Sequence, residues 1–113
     1  MPNEPGSLSH ASPAVLELYH DLIKAIEPLG PFKTEIKKSS VHFVRNSAFA
    51  CVHFRKSHIL LTVTAGAHSG SPRVMKSEQV SANRWHWDLK VLVNGDIDVE
   101  LMQWLRAAYE LYG

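Results

Sequence analysis

Histidine and cysteine side chains are the residues of this chain with the widest chemical range, and several of them lie close together in sequence. The chain of 113 residues has seven histidines and one cysteine. An imidazole can exchange a proton near neutral pH, ligate a metal or contact an anion. His42, Cys51 and His53 fall in one segment of alternating apolar and polar residues, and His86 falls in another. Such alternation is typical of β-strands. These side chains are therefore predicted to lie on a sheet.

The segment that would position most of them is 41–64, VHFVRNSAFACVHFRKSHILLTVT. We interpret it as three antiparallel strands joined by two-residue turns at Asn46-Ser47 and Lys56-Ser57. The predicted facing pairs are Val44–Phe49, Phe43–Ala50, His42–Cys51 and Val41–Val52 in the first hairpin, and Arg55–His58, Phe54–Ile59, His53–Leu60, Val52–Leu61, Cys51–Thr62 and Ala50–Val63 in the second.

This register divides the segment into two faces, because successive side chains point to opposite sides of a strand. One face is entirely apolar and consists of Val41, Phe43, Ala50, Val52, Phe54, Ile59, Leu61 and Val63. The other is mixed and histidine-rich and consists of His42, Val44, Phe49, Cys51, His53, Arg55, His58, Leu60 and Thr62. The apolar face is predicted to be the core, and the other face is where a site could form.

The flanking sequence predicts a helix at each end and further strands. Ser12-Pro13 is a favourable helix start, followed by an apolar stripe of Val15, Leu18, Tyr19, Leu22 and Ile26. Alternation predicts strands at 32–37 and 85–93, and an edge strand at 74–80. A last helix, capped by Asp96 or Asp98, has the stripe Val99, Leu101, Met102, Leu105, Ala108, Tyr109 and Tyr112, flanked by Trp104.

These elements predict an α+β fold, because two amphipathic helices must cover an apolar surface and the sheet offers one. The expected architecture is a two-layer sandwich, in which an antiparallel sheet of about five or six strands carries the N- and C-terminal helices on one face. Residues 1–11 are rich in Pro, Gly and Ser and are predicted to be a disordered N-terminal segment. Residues 12–113 are predicted to form a single domain.

Composition restricts the classes of function. The net charge is +1 with histidines neutral, so no overall field favours nucleic acid or an anionic membrane. One cysteine excludes an intramolecular disulfide framework and a Cys-rich zinc site. There is no signal-peptide pattern and no long apolar run, so we expect no membrane association and a cytoplasmic location.

The leading interpretation is a non-catalytic binding module for an anionic ligand. Its hypothetical ligand-binding residues are Lys38, His42, Arg55, Lys56, Arg84 and His86. Basic side chains on one sheet face suit a phosphate or carboxylate. With Phe49 and Trp85 or Trp87 as stacking partners, the ligand could also be single-stranded nucleic acid. No cofactor, metal or catalytic residue is assigned.

Two alternatives use the same face. Val44, Phe49, Leu60 and Leu92 make it more apolar than a solvated sheet needs, which favours a homodimer or another protein partner. The less favoured alternative is a His-dependent or metal-dependent hydrolase using His42, Cys51, His53 and His86. None of the tightly spaced ligand motifs of known zinc sites is present.

Three stretches resemble a known family. They are KSSVHFVRNSAFACVHFRKSHILLTV, SPRVMKSEQVSANRWHWDLKV and DIDVELMQWLRAAYELY. Together they resemble the bacterial domain of unknown function number 5655, over Val15 to Tyr112. The resemblance implies a bacterial origin and a family that occurs alone or at the end of predicted transport and restriction-like proteins. The family has no established activity, so the resemblance implies a fold rather than a reaction.

Overall fold

The computed structural model describes residues 12–38 and 40–112. The elements, in chain order, are α1 (Pro13–Ile26), β1 (Lys33–Ile36), β2 (Ser40–Val44), β3 (Ala48–Phe54), β4 (Ile59–Ala65), β5 (Lys76–Ser81), β6 (Arg84–Val91) and α2 (Val99–Tyr112). Single 3-10 turns at Glu27–Leu29 and Asn94–Asp96 follow α1 and β6. The segment predicted to be disordered, 1–11, lies outside the described residues.

The strands form one six-stranded antiparallel sheet in the order β1-β2-β3-β4-β6-β5. Both helices pack on one face of it, and the side chains between them form a single core. The predicted α+β architecture is thus confirmed. The sheet residues of this core are Val41, Phe43, Phe49, Ala50, Val52, Ile59, Leu61, Val63, Leu89 and Val91. The predicted apolar face is confirmed, with Phe54 partly buried against the core.

The second hairpin has the predicted register, whereas the first departs from it at one end. All predicted strand pairs between β3 and β4 are observed, and the Arg55 N–H donates to the His58 carbonyl at 3.0 Å. Between β2 and β3, Val44 pairs with Ala48 and not with Phe49. The turn is therefore 45–47 rather than two residues, and Phe49 is the extra residue of a β-bulge.

The bulge turns Phe49 into the core, so its predicted position on the opposite face is wrong. Phe49 is fully buried. Its ring packs edge-on against Tyr109 of α2, with 5.3 Å between centroids, and against Phe32 at 6.0 Å. Removing a large aromatic ring from water is strongly favourable. The β-bulge is therefore stabilised by the contact that Phe49 makes between this end of the sheet and α2.

Helix α1 begins and ends as the sequence predicts. Ser12 caps it, since its hydroxyl accepts a hydrogen bond from the Val15 N–H at 3.3 Å. The five residues of the predicted apolar stripe are all buried. Gly30 then adopts a φ of 140°, a conformation that favours glycine. This turn places the Pro31 carbonyl 2.8 Å from the Tyr109 hydroxyl, which donates to it.

Helix α2 is capped by Asp98, because its carboxylate accepts the Leu101 N–H at 3.0 Å. Asp96 instead accepts the Leu92 and Val93 N–H groups after β6. Leu101, Leu105, Ala108 and Tyr109 form the buried stripe. Val99, predicted to belong to that stripe, is 74% exposed because it lies in the first turn, beyond the edge of the core.

The long segment between β4 and β5 is attached to α2 through Arg73. Its guanidinium donates to Asp98 at 2.8 Å and to Glu100 at 3.2 Å, and lies 5.8 Å from the Trp104 ring centroid. Trp104 packs against the core, as predicted. In the described part of the chain, neither helix has the length and apolar character needed to cross a membrane.

Candidate ligand-binding face

The face of the sheet opposite the helices has no described helix or strand packed on it. We call it the open sheet face. Strand alternation and the register place the following residues there: Lys33, Glu35, Ser40, His42, Val44, Cys51, His53, Leu60, Thr62, Thr64, Lys76, Glu78, His86, Asp88 and Lys90. Arg84 has the same strand parity, but its guanidinium lies over the ring of Tyr112 on α2. This is the face on which the sequence predicts a site.

A continuous row of paired residues crosses all six strands in the middle of the open sheet face. In strand order the row is Glu35, His42, Cys51, Thr62, Asp88 and Lys76. The Thr62 hydroxyl donates to an Asp88 carboxylate oxygen at 2.7 Å. The row therefore brings one imidazole, one thiol and two carboxylates onto one line across the sheet, and these are the residue types that a hydrolase would use.

The thiol of Cys51 is in the wrong protonation state for nucleophilic attack. Burial raises its pKa, and the negative charge of Asp88 raises the pKa further, against an opposing hydrogen bond from Ser40. Its sulfur lies 3.5 Å from Nε2 of His53. The thiolate is the reactive form, and it is disfavoured here. Cys51 is better described as a small apolar side chain within the sheet.

Two histidines have lowered pKa values, which favours their neutral form. Burial lowers the pKa of His53, and the positive charge of Arg55 lowers it further. At the adjacent turn, burial and then Lys90 and Arg55 lower the pKa of His58. Neutral imidazoles can ligate metals, yet among residues 12–38 and 40–112 no group of three or more His, Cys, Asp or Glu side chains is placed to hold one.

Basic residues gather at one end of the sheet, where the β1–β2 turn, the β3–β4 turn and the end of β6 meet. We call this group the basic end; its members are Lys37, Lys38, Arg55, Lys56, His58 and Lys90. The pairs Ser40–His53 and Leu60–Lys90 place these three chain segments side by side. Three of the predicted ligand-binding residues, Lys38, Arg55 and Lys56, belong to it.

The other three predicted residues lie elsewhere. His42 is in the central row. Arg84 and His86 lie towards the opposite end of β6 from Lys90, and about 20 Å of strand separates Arg84 from Lys90. The Arg84 guanidinium is 5.5 Å from the Tyr112 ring centroid on α2, and His86 pairs with Thr64 and Glu78. The six residues therefore do not converge on one small ligand.

Several charged neighbours were not among the predicted site residues. Lys90 and His58 belong to the basic end, and the acids Glu35 and Glu78 lie beside His42 and His86. For Lys90 and Glu35, the available signal was their position on the polar side of an alternating strand. For Glu78 there was no such signal, because the local sequence pattern of β5 does not indicate which strand it pairs with.

The aromatic rings expected to stack nucleic-acid bases do not lie on the open sheet face. Phe49 is in the core. Trp87 packs against Trp104 of α2 at 5.4 Å, and Trp85 packs against His68 at 5.6 Å. Base stacking on aromatic side chains carries much of the affinity for single strands. The geometry therefore suits a compact anion better than single-stranded nucleic acid.

Comparison with known proteins gives one match. The family model described as Domain of unknown function (DUF5655) matches residues 6–112. No curated protein and no solved structure matches the chain. Since the matched residues cover nearly the whole sequence, the chain belongs to the DUF5655 family.

Proposed function

We propose that this domain is a non-catalytic binding module that takes a compact anionic ligand, a phosphate or a carboxylate, at the basic end. The ligand would lie between the β1–β2 turn and the β3–β4 turn. Arg55 offers the planar fork of donors that suits such an anion, and Lys38 and Lys56 add positive charge.

The observation that carries the proposal is a group of cations without acidic partners. Within the described parts of the chain, no carboxylate lies within 4.0 Å of Lys38, Arg55, Lys56 or Lys90. Among the described residues, Lys37 is the one member of the basic end with an ion pair, to Glu35 at 3.7 Å. Uncompensated like charges repel one another. A bound anion would relieve that repulsion.

His58 would make the binding depend on pH. The same cations that would attract an anion disfavour a proton on its imidazole, so its pKa is lowered by burial, Lys90 and Arg55. A bound anion would offset the effect of those charges and raise the pKa of His58. Affinity should therefore increase as the pH falls and His58 becomes protonated.

The test is an amide chemical-shift titration with inorganic phosphate and with a short single-stranded oligonucleotide. We expect phosphate to shift residues 38, 55, 56, 58 and 90 in one fast-exchange series. The absence of shifts at millimolar phosphate would exclude the proposal. Tighter binding of the oligonucleotide, with shifts spread over the sheet, would favour the nucleic-acid alternative.

Charge reversal provides a matched pair of variants. Arg55→Glu should weaken phosphate binding at least about tenfold, the equivalent of 1.4 kcal/mol. Arg84→Glu makes the same change in net charge at the other end of the sheet, and it should leave phosphate binding within about twofold. Equal losses in the two variants would mean that only the overall charge matters.

A second candidate function is protein interaction through the open sheet face. Cys51 and Leu60 are half-buried residues in its middle, Val44 is half-buried at the end of β2, and no described element covers them. We propose that another protein chain contacts this face. Sedimentation of the protein over a wide concentration range, alone and with added partners, tests it.

A further inference from the structure

We infer that the open sheet face binds a second copy of this chain, with Glu35 of each copy paired to Lys76 of the other. The inference rests on the proposal that this face contacts protein, and it names the partner. Its first test, by charge reversal on the edge strands, needs no anion at the basic end. The observation behind it is the distribution of charge on the two edge strands.

The edge strands carry opposite charges at equivalent positions. In the central row, the β1 end is Glu35 and the β5 end is Lys76. In the next row towards Arg84, the β1 residue is Lys33, and the β5 residue, paired with His86, is Glu78. The row thus begins with a negative charge and ends with a positive one, and its neighbour has the reverse order.

These charges contribute little to the stability of a single chain. Glu35 is 52% exposed and pairs at 3.7 Å with Lys37, which lies just after β1. Lys76 is 62% exposed and pairs at 3.5 Å with Glu78 of its own strand. Exposed pairs of this kind contribute little to stability. Five strand spacings, about 24 Å, separate Glu35 from Lys76, so the two cannot meet in a monomer.

A second copy brings them together by one symmetry operation. Consider a two-fold axis that lies between the copies, parallel to the strands and midway between β3 and β4. It places each row over the same row of the partner in reverse order. Glu35 then faces Lys76, Lys33 faces Glu78, and His42 faces Asp88. A two-fold interface forms every such contact twice.

The middle of the interface is compatible with this arrangement. Cys51 would face Thr62, and His53 would face Leu60, so no charge would be buried at the middle of the axis, whereas the two basic ends would meet at one end of it. Packed sheets keep their strands within about 30° of parallel, which the long side chains of Lys and Glu at the edges can accommodate. Because the contacts are mostly polar, the association should be modest and weakened by salt.

An axis perpendicular to the strands is less favourable. Set between the two charged rows, it would pair Glu35 with Lys33 and Lys76 with Glu78, which also joins opposite charges. It would shift the copies by one row, however, and leave the row of Ser40, His53 and Leu60 beyond the partner's strands. The parallel axis covers the whole face.

Charge reversal tests the inference by sedimentation equilibrium at low ionic strength. The wild-type chain should form a dimer. Glu35→Lys should weaken the dimer about tenfold, since it replaces two attractive pairs by two repulsive ones. The double variant Glu35→Lys with Lys76→Glu should restore association to within about threefold of wild type, because both pairs are re-formed with reversed signs.

Three results would overturn the inference. One is a wild-type chain that is monomeric at the highest concentration used. Another is a double variant that is no better than Glu35→Lys. The third is rescue of Glu35→Lys by Lys33→Glu instead, which would indicate the perpendicular axis. Glu110→Lys makes the same charge change on α2, and it should leave the dimer unchanged.

The phosphate titration separates this inference from the anion proposal. If Glu35→Lys is monomeric and still shows shifts at the basic end, the anion site does not need the dimer in order to bind phosphate. Circular dichroism of each variant shows whether the fold is retained. A dimer that responds to the charge swaps but binds no phosphate would support the second copy and exclude the anion.

Discussion

Cys51 shows at the scale of a single residue why position on a sheet does not make a catalytic group. It is adjacent to His42 across the strands and lies near His53, yet burial raises the pKa of its thiol. Reaction with an alkylating reagent depends on the thiolate fraction. The protonation state therefore separates a structural cysteine from a nucleophile.

We expect iodoacetamide to alkylate Cys51 in the folded protein at least about tenfold more slowly than in the urea-unfolded chain near neutral pH. The same chain in urea is the control, since it contains no other cysteine. Mass spectrometry follows the reaction. Faster alkylation of the folded protein than of the unfolded chain would show an activated thiolate and support the hydrolase alternative.

His53 should contribute to acid sensitivity. Burial and Arg55 lower its pKa in the folded protein, whereas in the unfolded chain the pKa is about 6.5. Below that pH the unfolded chain binds a proton more readily at this ring, so the free energy of unfolding falls as the pH drops towards the folded pKa. Above the pKa of the unfolded chain, the contribution of His53 to the free energy of unfolding no longer changes with pH.

His53→Gln should therefore reduce the slope of the free energy of unfolding against pH in the mildly acidic range, measured by urea denaturation. His20→Gln, at an exposed position of α1, is the matched control for loss of a histidine. An unchanged slope in His53→Gln would show that this ring is as easily protonated in the folded protein as in the unfolded chain.

At the scale of elements, the first hairpin shows what a sequence pattern can and cannot predict. Alternation was enough for the β3–β4 register, because a one-residue slip would have exposed the core residues. It failed at Phe49, since a bulge is favoured there by contacts with Phe32 and Tyr109. Those contacts join segments distant in sequence, which no local pattern contains.

Phe49→Ala should therefore destabilise the protein by about 3 to 5 kcal/mol, as is typical for removal of a buried aromatic ring. Were Phe49 on the open sheet face, the cost would be small. Val99→Ala is the matched control, because Val99 was also predicted to be buried but is exposed. Urea unfolding measures both variants, and similar small losses would contradict the observed bulge.

At the scale of the whole molecule, strand order determined which predicted residues meet. The basic residues were recognisable as candidates, but β6 lies beside β4 and β5 is at the edge. In that order Lys90 lies next to the β3–β4 turn, and Arg84 lies at the opposite end of the sheet. Sequence indicates which face each residue occupies. It does not indicate which strands are neighbours across a long loop, and so the predicted six-residue set was divided.

The two proposals are connected through the same geometry. A two-fold axis parallel to the strands places both basic ends at one end of the dimer, where their like charges would oppose association. An anion that bridges the two ends would remove this repulsion, and by reciprocal linkage the dimer would bind that anion more tightly than the monomer does. A polyphosphate reaches further than inorganic phosphate and should show the effect best.

We therefore expect inorganic triphosphate to strengthen the dimer, whereas sodium chloride at equal ionic strength should weaken it, as followed by sedimentation equilibrium. Charge screening alone predicts the same direction for both salts, so opposite responses require a bound anion. Arg55→Glu should abolish the triphosphate effect while keeping the edge pairs that involve Glu35. Strengthening that persists in Arg55→Glu would place the anion elsewhere, and weakening by both salts would contradict a bridge between the basic ends.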